Sequence, residues 1–279
     1  MRVINEHDQK KPLFLYLAFT APHTPYQVPK TYLDLNSHIA DESRQKYAAM
    51  ISLMDDEIGK VVDALEKRGM RENTLIVFQS DNGGVVNAFF AGESEVKGNL
   101  PADNGPYREG KGTTYEGGTR VVGLVNWPGK IKPGTVDGPM HVVDMYPTLA
   151  GLAGATLGKN KPLDGMDMWP TLSEQKPSPR AEVVYNIEPM TGAVRQGDWK
   201  LVWKAVLPQG IELFDLSKDQ SETTNLADQN PETVNKLQAR ITELASQMAP
   251  PLIMHDAVKL LLHSPTLLPD ASEMFNVGD

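Results

Sequence analysis

The apolar positions of this chain change period along its length, and the changes mark out elements. Residues 12–19, Pro-Leu-Phe-Leu-Tyr-Leu-Ala-Phe, are almost unbroken in apolar side chains, the pattern of a strand covered on both faces. They run into Thr20-Ala21-Pro22-His23-Thr24-Pro25-Tyr26, a turn stiffened by two prolines. Over residues 47–68 the spacing becomes helical. Tyr47, Met50, Ile51, Met54, Ile58, Val61, Val62 and Leu65 share one face, and Gly69 follows as a C-cap. Residues 74–78, Thr-Leu-Ile-Val-Phe, are rich in β-branched and aromatic side chains and read as a buried strand. Strand, helix and strand in that order predict a βαβ unit with a parallel pair.

Residues 87–110 form a long loop rich in Gly, Asn and Pro, and a loop of that length in a compact domain is functional or disordered. Residues 119–127 predict another strand, closed by Pro128-Gly129. Residues 140–152 predict a helix, in which Pro147 either bends the axis or marks the first turn. Residues 158–180 are rich in Gly, Pro and Lys and read as a linker. Short strands over 182–187, 192–195, 199–203 and 211–216 come next. A helix then opens at Pro231-Glu232, with Val234, Leu237, Ile241 and Leu244 on one face. No pattern persists after Pro250. The architecture expected is α/β. Residues 1–157 build a sheet sandwiched by helices, 158–180 link it onward, 181–249 form a small α+β unit with an antiparallel sheet and one helix, and 250–279 are unassigned.

Composition narrows the partners. A chain of 279 residues with 40% hydrophobic and 23% charged side chains is globular and long enough for a real core. A formal charge of -9 argues against nucleic acid, and it requires any anion site to be locally basic. With no cysteine, disulfides, thiolate metal sites and a cysteine nucleophile within this sequence are excluded. No Asn-x-Ser/Thr acceptor is present, and no apolar run is long enough to span a bilayer. The first seven residues lack the apolar core and cleavage site of a signal peptide and read as the end of a helix. Compartment and oligomeric state stay open.

Three islands place polar groups just beyond predicted strands. His23 follows the first. Asp81 and Asn82 follow the second, in Ser80-Asp81-Asn82-Gly83-Gly84, where carboxylate and amide oxygens suit a hard cation such as calcium or magnesium. Lys111 lies in Gly110-Lys111-Gly112-Thr113-Thr114-Tyr115-Glu116-Gly117-Gly118, before the third. Singly, each has an ordinary alternative: a turn at Asp-Asn-Gly, a hydrogen-bonded histidine between prolines, a solvated lysine. The lysine segment is not a phosphate loop, because the upstream glycine is missing and a strand is expected after it. In open α/β sheets the strand ends converge on one edge, and a cation, an imidazole and an ammonium there suit a substrate with several anionic oxygens.

Jointly the islands resemble the sulfatase family of the alkaline-phosphatase-like superfamily, over Lys11 to roughly Met248. The carriers are the 12–19 run with Ala21-Pro22-His23-Thr24-Pro25, Met54-Asp55-Asp56-Glu57-Ile58-Gly59, the two islands around Asp81 and Lys111, Trp127-Pro128-Gly129, Asp144-Met145-Tyr146-Pro147, and the late Gly197-Asp198-Trp199-Lys200-Leu201 and Glu212-Leu213-Phe214-Asp215-Leu216. Asn104-Gly105-Pro106-Tyr107-Arg108 is similar to arylsulfatase-B-like members. The resemblance implies calcium as cofactor with Asp81 and Asn82 as ligands, and His23 and Lys111 as the groups that contact the sulfate and assist the leaving oxygen. It implies a sulfated small molecule or sulfated sugar as partner.

The family's nucleophile is a formylglycine made from a Cys or Ser in a C/S-x-P-x-R motif. That motif does not occur here; Ser178-Pro179-Arg180 lacks the spacing. Asp55 and Asp56 fall within the predicted helix and do not replace the family's early metal-binding pair. The expectation is a C-terminal portion of a calcium-dependent sulfuric ester hydrolase, inactive alone. The alternatives are a non-catalytic binder of sulfated or phosphorylated ligands and a related phosphodiesterase or phosphonate hydrolase.

Overall fold

The computed structural model describes residues 1–87, 100–158, 162–187, 191–204 and 210–248. The tail 250–279 and residues 88–99 of the predicted long loop lie outside the described residues.

Two short helices, α1 (Arg2–Glu6) and α2 (Lys30–Leu35), precede the main one, α3 (Glu42–Lys67). The side chain of Asp41 accepts the Arg44 backbone N–H at 2.8 Å and starts α3. Its end is set by Gly69, whose φ of +65° suits a residue without a Cβ. The Gly69 and Met70 N–H groups donate to the Glu66 and Leu65 carbonyls, each at 2.8 Å, a Schellman closure. Ala64 and Leu65 bury with Ile4 of α1, and Leu13 and Ile76 pack against that cluster.

The predicted 74–78 strand is observed as β1 (Ile76–Gln79), but its partner differs from expectation. It pairs antiparallel with β2 (Gly123–Asn126), Phe78 opposite Leu124. Residues 12–19 join no ladder among the described residues, and Phe14 and Tyr16 are each 80% exposed. The parallel pair predicted from the strand–helix–strand order is therefore not present there. An apolar run advertises a tendency to be covered; it does not specify what covers it. The predicted 119–127 strand is shortened at its start by a helical turn, α4 (Glu116–Thr119).

The 140–152 helix is α5 (Met145–Leu152), entered through a 3-10 turn over Val142–Asp144. Pro147 thus sits in the first turn, where its missing N–H has no partner to lose. The stretch 158–180 contains a further helix, α6 (Trp169–Glu174). Arg180, at its end, is buried against Asp144.

The four late strands are β3 (Glu182–Ile187), β4 (Thr191–Gln196), β5 (Trp199–Lys204) and β6 (Gly210–Asp215), a consecutive antiparallel meander. Alternation gives this sheet two apolar faces. Val194, Leu201 and Leu213 face Leu237 and Ile241 of the closing helix α7 (Pro231–Ser246). Ala193, Val202 and Phe214 bury Tyr115, from the segment that carries Lys111. The chain is α/β: among the described residues, helices with two antiparallel sheets.

Candidate active site

His23 lies between two cis X-Pro bonds, Ala21-Pro22 and Thr24-Pro25, with its backbone N–H donating to Thr20 O at 2.8 Å. Its ring contacts suit one tautomer. Nδ1 is 2.8 Å from the Thr24 carbonyl, which only accepts, so Nδ1 carries the proton. Nε2 is 3.2 Å from Lys111 Nζ, which only donates, so Nε2 presents its lone pair. The imidazole is thus aimed at the Lys111 side chain.

Lys111 is half-buried. Its loop, a hairpin-shaped turn over residues 108–118 with no strand pairing, and the Asp81 turn are locked together through backbone. Lys111 N–H donates to Gly84 O at 3.1 Å, and Gly83 N–H to Gly118 O at 3.0 Å. A Cβ on Gly83 would lie 1.7 Å from Gly117 O, and one on Gly110 would lie 2.2 Å from Gly84 O. Gly83 and Gly110 are thus required by the close approach of two chain segments. Asn104 brackets the same junction: Oδ1 accepts Gly84 N–H at 2.8 Å, while Nδ2 donates to Gly84 O at 3.0 Å and Glu109 O at 2.8 Å. Residue patterns alone do not single out Asn104 for this role, because an Asn beside Gly-Pro reads as a turn residue.

Asp81 is exposed and Asn82 half-buried, just past the end of β1. Asn82 Nδ2 donates to Gly83 O at 2.8 Å, which leaves the Oδ1 end as an acceptor. Among the described residues Asp81 forms no ion pair with Lys111, so the direct contact in the site is between Lys111 and His23. The donor chemistry of Asp81 and Asn82 fits calcium. The number does not complete a shell, and among the described residues no group of three or more His, Cys, Asp or Glu side chains could hold a metal. Asp55 and Asp56 are exposed on α3, where Asp56 accepts the Tyr32 hydroxyl at 2.8 Å.

Beneath the hairpin, Tyr115 and Glu116 enter the late sheet. The Tyr115 hydroxyl donates to Glu212 and accepts Lys204 Nζ at 2.9 Å. Burial pushes Tyr115 toward higher pKa, and the bond to Glu212 adds to that. Burial also pushes Glu212 upward, but Tyr115, Lys204 and Arg108 together hold it below the ordinary carboxylate value. Glu116 is 2.8 Å from the fully buried Lys200 Nζ.

The fold defines a protein of the alkaline-phosphatase-like class. The chain belongs to the sulfatase family: the family's profile matches residues 1–155. A second profile, N-sulphoglucosamine sulphohydrolase, C-terminal, matches residues 110–247. The chain is 37% identical over 216 residues to mouse arylsulfatase J, covering 76% of this chain and 34% of that one. It is 28% identical over 242 residues to the N-acetylgalactosamine-6-O-sulfatase of Bacteroides thetaiotaomicron, covering 82% and 46%. Its backbone matches Ps i-CgsB, solved in complex with k-i-k-neocarrahexaose, with TM-score 0.76 and 30% identity over 99% of this chain and 58% of that one. A protein solved with its substrate D-glucosamine-2-N,6-O-disulfate matches at TM-score 0.55 and 25% identity, over 73% and 41%. The chain spans from about a quarter to half the length of the curated relatives it matches.

Proposed function

We propose that this chain supplies the sulfate-contacting and metal-ligating side chains of a sulfuric ester hydrolase. Asp81 and Asn82 serve as calcium ligands, and His23 and Lys111 are the groups that meet the sulfate. The observation that carries this reading is the 3.2 Å contact between Lys111 Nζ and His23 Nε2 across 88 positions of sequence. Two polar groups of this kind, brought together from distant segments in a chain of charge -9, favour an anion at that place.

An incoming sulfate oxygen accepts from the Lys111 ammonium, which is charged and partly shielded from water. His23 stays oriented because Nδ1–H is held on Thr24 O. That leaves Nε2 as the atom that takes up a proton and delivers it to the departing ester oxygen. A calcium ion on Asp81 and Asn82, when bound, draws charge from the sulfate oxygens. No residue here takes the nucleophile's part: the sequence has no cysteine and no C/S-x-P-x-R pattern. The chain alone is therefore expected to bind an oxyanion without turning over an ester. Relatives and structural neighbours with sulfated-sugar names and ligands support a sulfated sugar as the partner class.

Calorimetry of the chain with a sulfated monosaccharide and calcium tests the reading. Binding is expected to weaken about tenfold in Lys111→Met, the scale of one lost charge-assisted hydrogen bond. Equal affinity in wild type and Lys111→Met would overturn the site. Clear turnover of an aryl sulfate by the chain alone would overturn the view that the nucleophile lies elsewhere.

A further inference from the structure

We infer that Lys200 and Glu222, on the late sheet and the loop after it, are positioning residues for Lys111. This rests on Lys111 being the sulfate-contacting cation proposed above.

The hairpin that presents Lys111 is closed at its base by Gly117 N–H donating to Arg108 O at 2.9 Å. Its interior is filled by backbone. A Cβ on Gly117 would lie 2.3 Å from the Arg108 and Glu109 carbonyls, and one on Gly118 would lie 2.5 Å from those of Gly110 and Thr113. A segment packed this closely moves as a unit, so whatever holds its base also places its tip. The base is held by a closed cycle. Lys200 Nζ lies 2.8 Å from Glu116 Oε1 and 2.8 Å from Glu222 Oε1, while Glu222 Oε2 accepts the Glu116 backbone N–H at 2.6 Å. All three side chains are at most 2% exposed.

Glu222 holds both ends of the base. Its carboxylate takes the Glu116 end, and its carbonyl accepts Arg108 Nη1 at 3.1 Å. It does so with φ of +51°, a left-handed conformation that a non-glycine residue keeps only where surrounding contacts over-determine it. Tyr185 adds its hydroxyl to Glu116 Oε1 at 3.3 Å and its ring to Lys200 at 4.4 Å. Arg120 reaches Glu116 Oε2 at 3.7 Å from the solvent side.

Buried ionic sets of this kind contribute little net stability, since apolar residues of equal volume do as well or better. What they supply is direction. A charged hydrogen bond fixes an angle as well as a distance; the bonds from Lys200 to Glu116 and from Glu116 N–H to Glu222 do so here, while the Lys200–Glu222 leg closes the cycle as an ion pair without a hydrogen bond. The late sheet is, on this view, the fixture that aims the site's cation.

The test uses the whole chain, with inorganic sulfate as probe. Sulfate affinity is read by calorimetry, the His23 ring nitrogens by 15N NMR, and folding by thermal melting. Lys200→Met is expected to weaken sulfate binding about tenfold and to move the His23 Nε2 signal toward that of an imidazole free of Lys111. Glu222→Gln keeps the size and the bond to Glu116 N–H, and carries the test if Lys200→Met does not fold. It is expected to change both readouts in the same direction by less. A third variant, Lys200→Met with Glu116→Met and Glu222→Met, is expected to recover melting temperature but not the His23 signal. A folded Lys200→Met or Glu222→Gln chain with wild-type affinity and a wild-type His23 signal overturns the proposal. Wild type failing to bind sulfate would instead sink the sulfate reading, and the His23 signal would still decide whether Lys200 positions Lys111.

Discussion

Arg180 holds both carboxylate oxygens of Asp144. Its Nε donates to Oδ2 at 2.9 Å and its Nη2 to Oδ1, and both side chains are at least nine-tenths buried. Asp144 also accepts the Met166 N–H at 2.8 Å and the His141 N–H at 2.7 Å. One carboxylate therefore ties the start of α5 to the 158–180 stretch and to the entry of β3. Removing either partner leaves a buried charge uncompensated. Arg180→Met and Asp144→Ala are each expected to cost ~3–5 kcal/mol, read as a fall in the denaturant midpoint. A loss within the range of an exposed pair would show that the contact is dispensable.

The pH dependence of stability separates two buried carboxyls of opposite sign. At Asp144 burial pushes the pKa up, but Arg180 and the Met166 and His141 N–H groups outweigh it, and the net shift is downward. Its stabilisation is complete above the ordinary carboxylate value and is lost as pH falls through the lowered one. Glu222 is raised, by burial first, against the opposing pull of Lys200. Its contribution is complete below the ordinary value and is lost as pH rises through the raised one. Melting curves of wild type, Asp144→Asn and Glu222→Gln across acidic to neutral pH should show the first variant flattening the acid-side loss and the second flattening the fall on raising pH. Parallel curves for all three would contradict both assignments.

Gly83→Ala places a methyl where Gly117 O already stands, 1.7 Å away. Because the obstacle is backbone, the Asp81 turn and the Lys111 hairpin must part. Over-packing of this kind costs ~1–3 kcal/mol or more, and the Gly83–Gly118 hydrogen bond is lost with it. The expected readout is faster amide exchange at Gly83 and Lys111 together with weaker sulfate binding. Unchanged exchange would mean that the junction yields without separating.

Calcium binding by this chain is expected to be weak. Two oxygen-bearing side chains fall well short of the roughly six to eight oxygens calcium takes, so a dissociation constant of about a millimolar or weaker is expected. Adding a chelator should leave the melting temperature unchanged, and Asp81→Ala should abolish calcium-dependent shifts in the NMR spectrum around Gly83. Micromolar binding would require further ligands from this chain.

Several elements were legible from residues alone. The period of α3 and its stop at Gly69, the four late strands to within a residue or two, and α7 behind Pro231 all follow from signals only a few positions long. His23, Asp81, Asn82 and Lys111 stood out as polar groups beside predicted strands, and of these the structure brings His23 and Lys111 into contact. Lys200 carried a weaker sign. It breaks the apolar run of β5 at a position that alternation assigns to the same face as Val202, but a single lysine in an antiparallel strand ordinarily faces water.

What the chain's own pattern determined is therefore local: which segments coil or extend, where they stop, and which side chains stand at the stops. Partnership was decided in three dimensions. β1 found β2 rather than residues 12–19, Lys111 reached His23, and Glu116 reached Lys200 across 84 positions. Periodicity reports the environment of a residue a turn or a pleat away. Contacts between distant segments depend on how closely two backbones approach, and that is settled only when the whole chain packs.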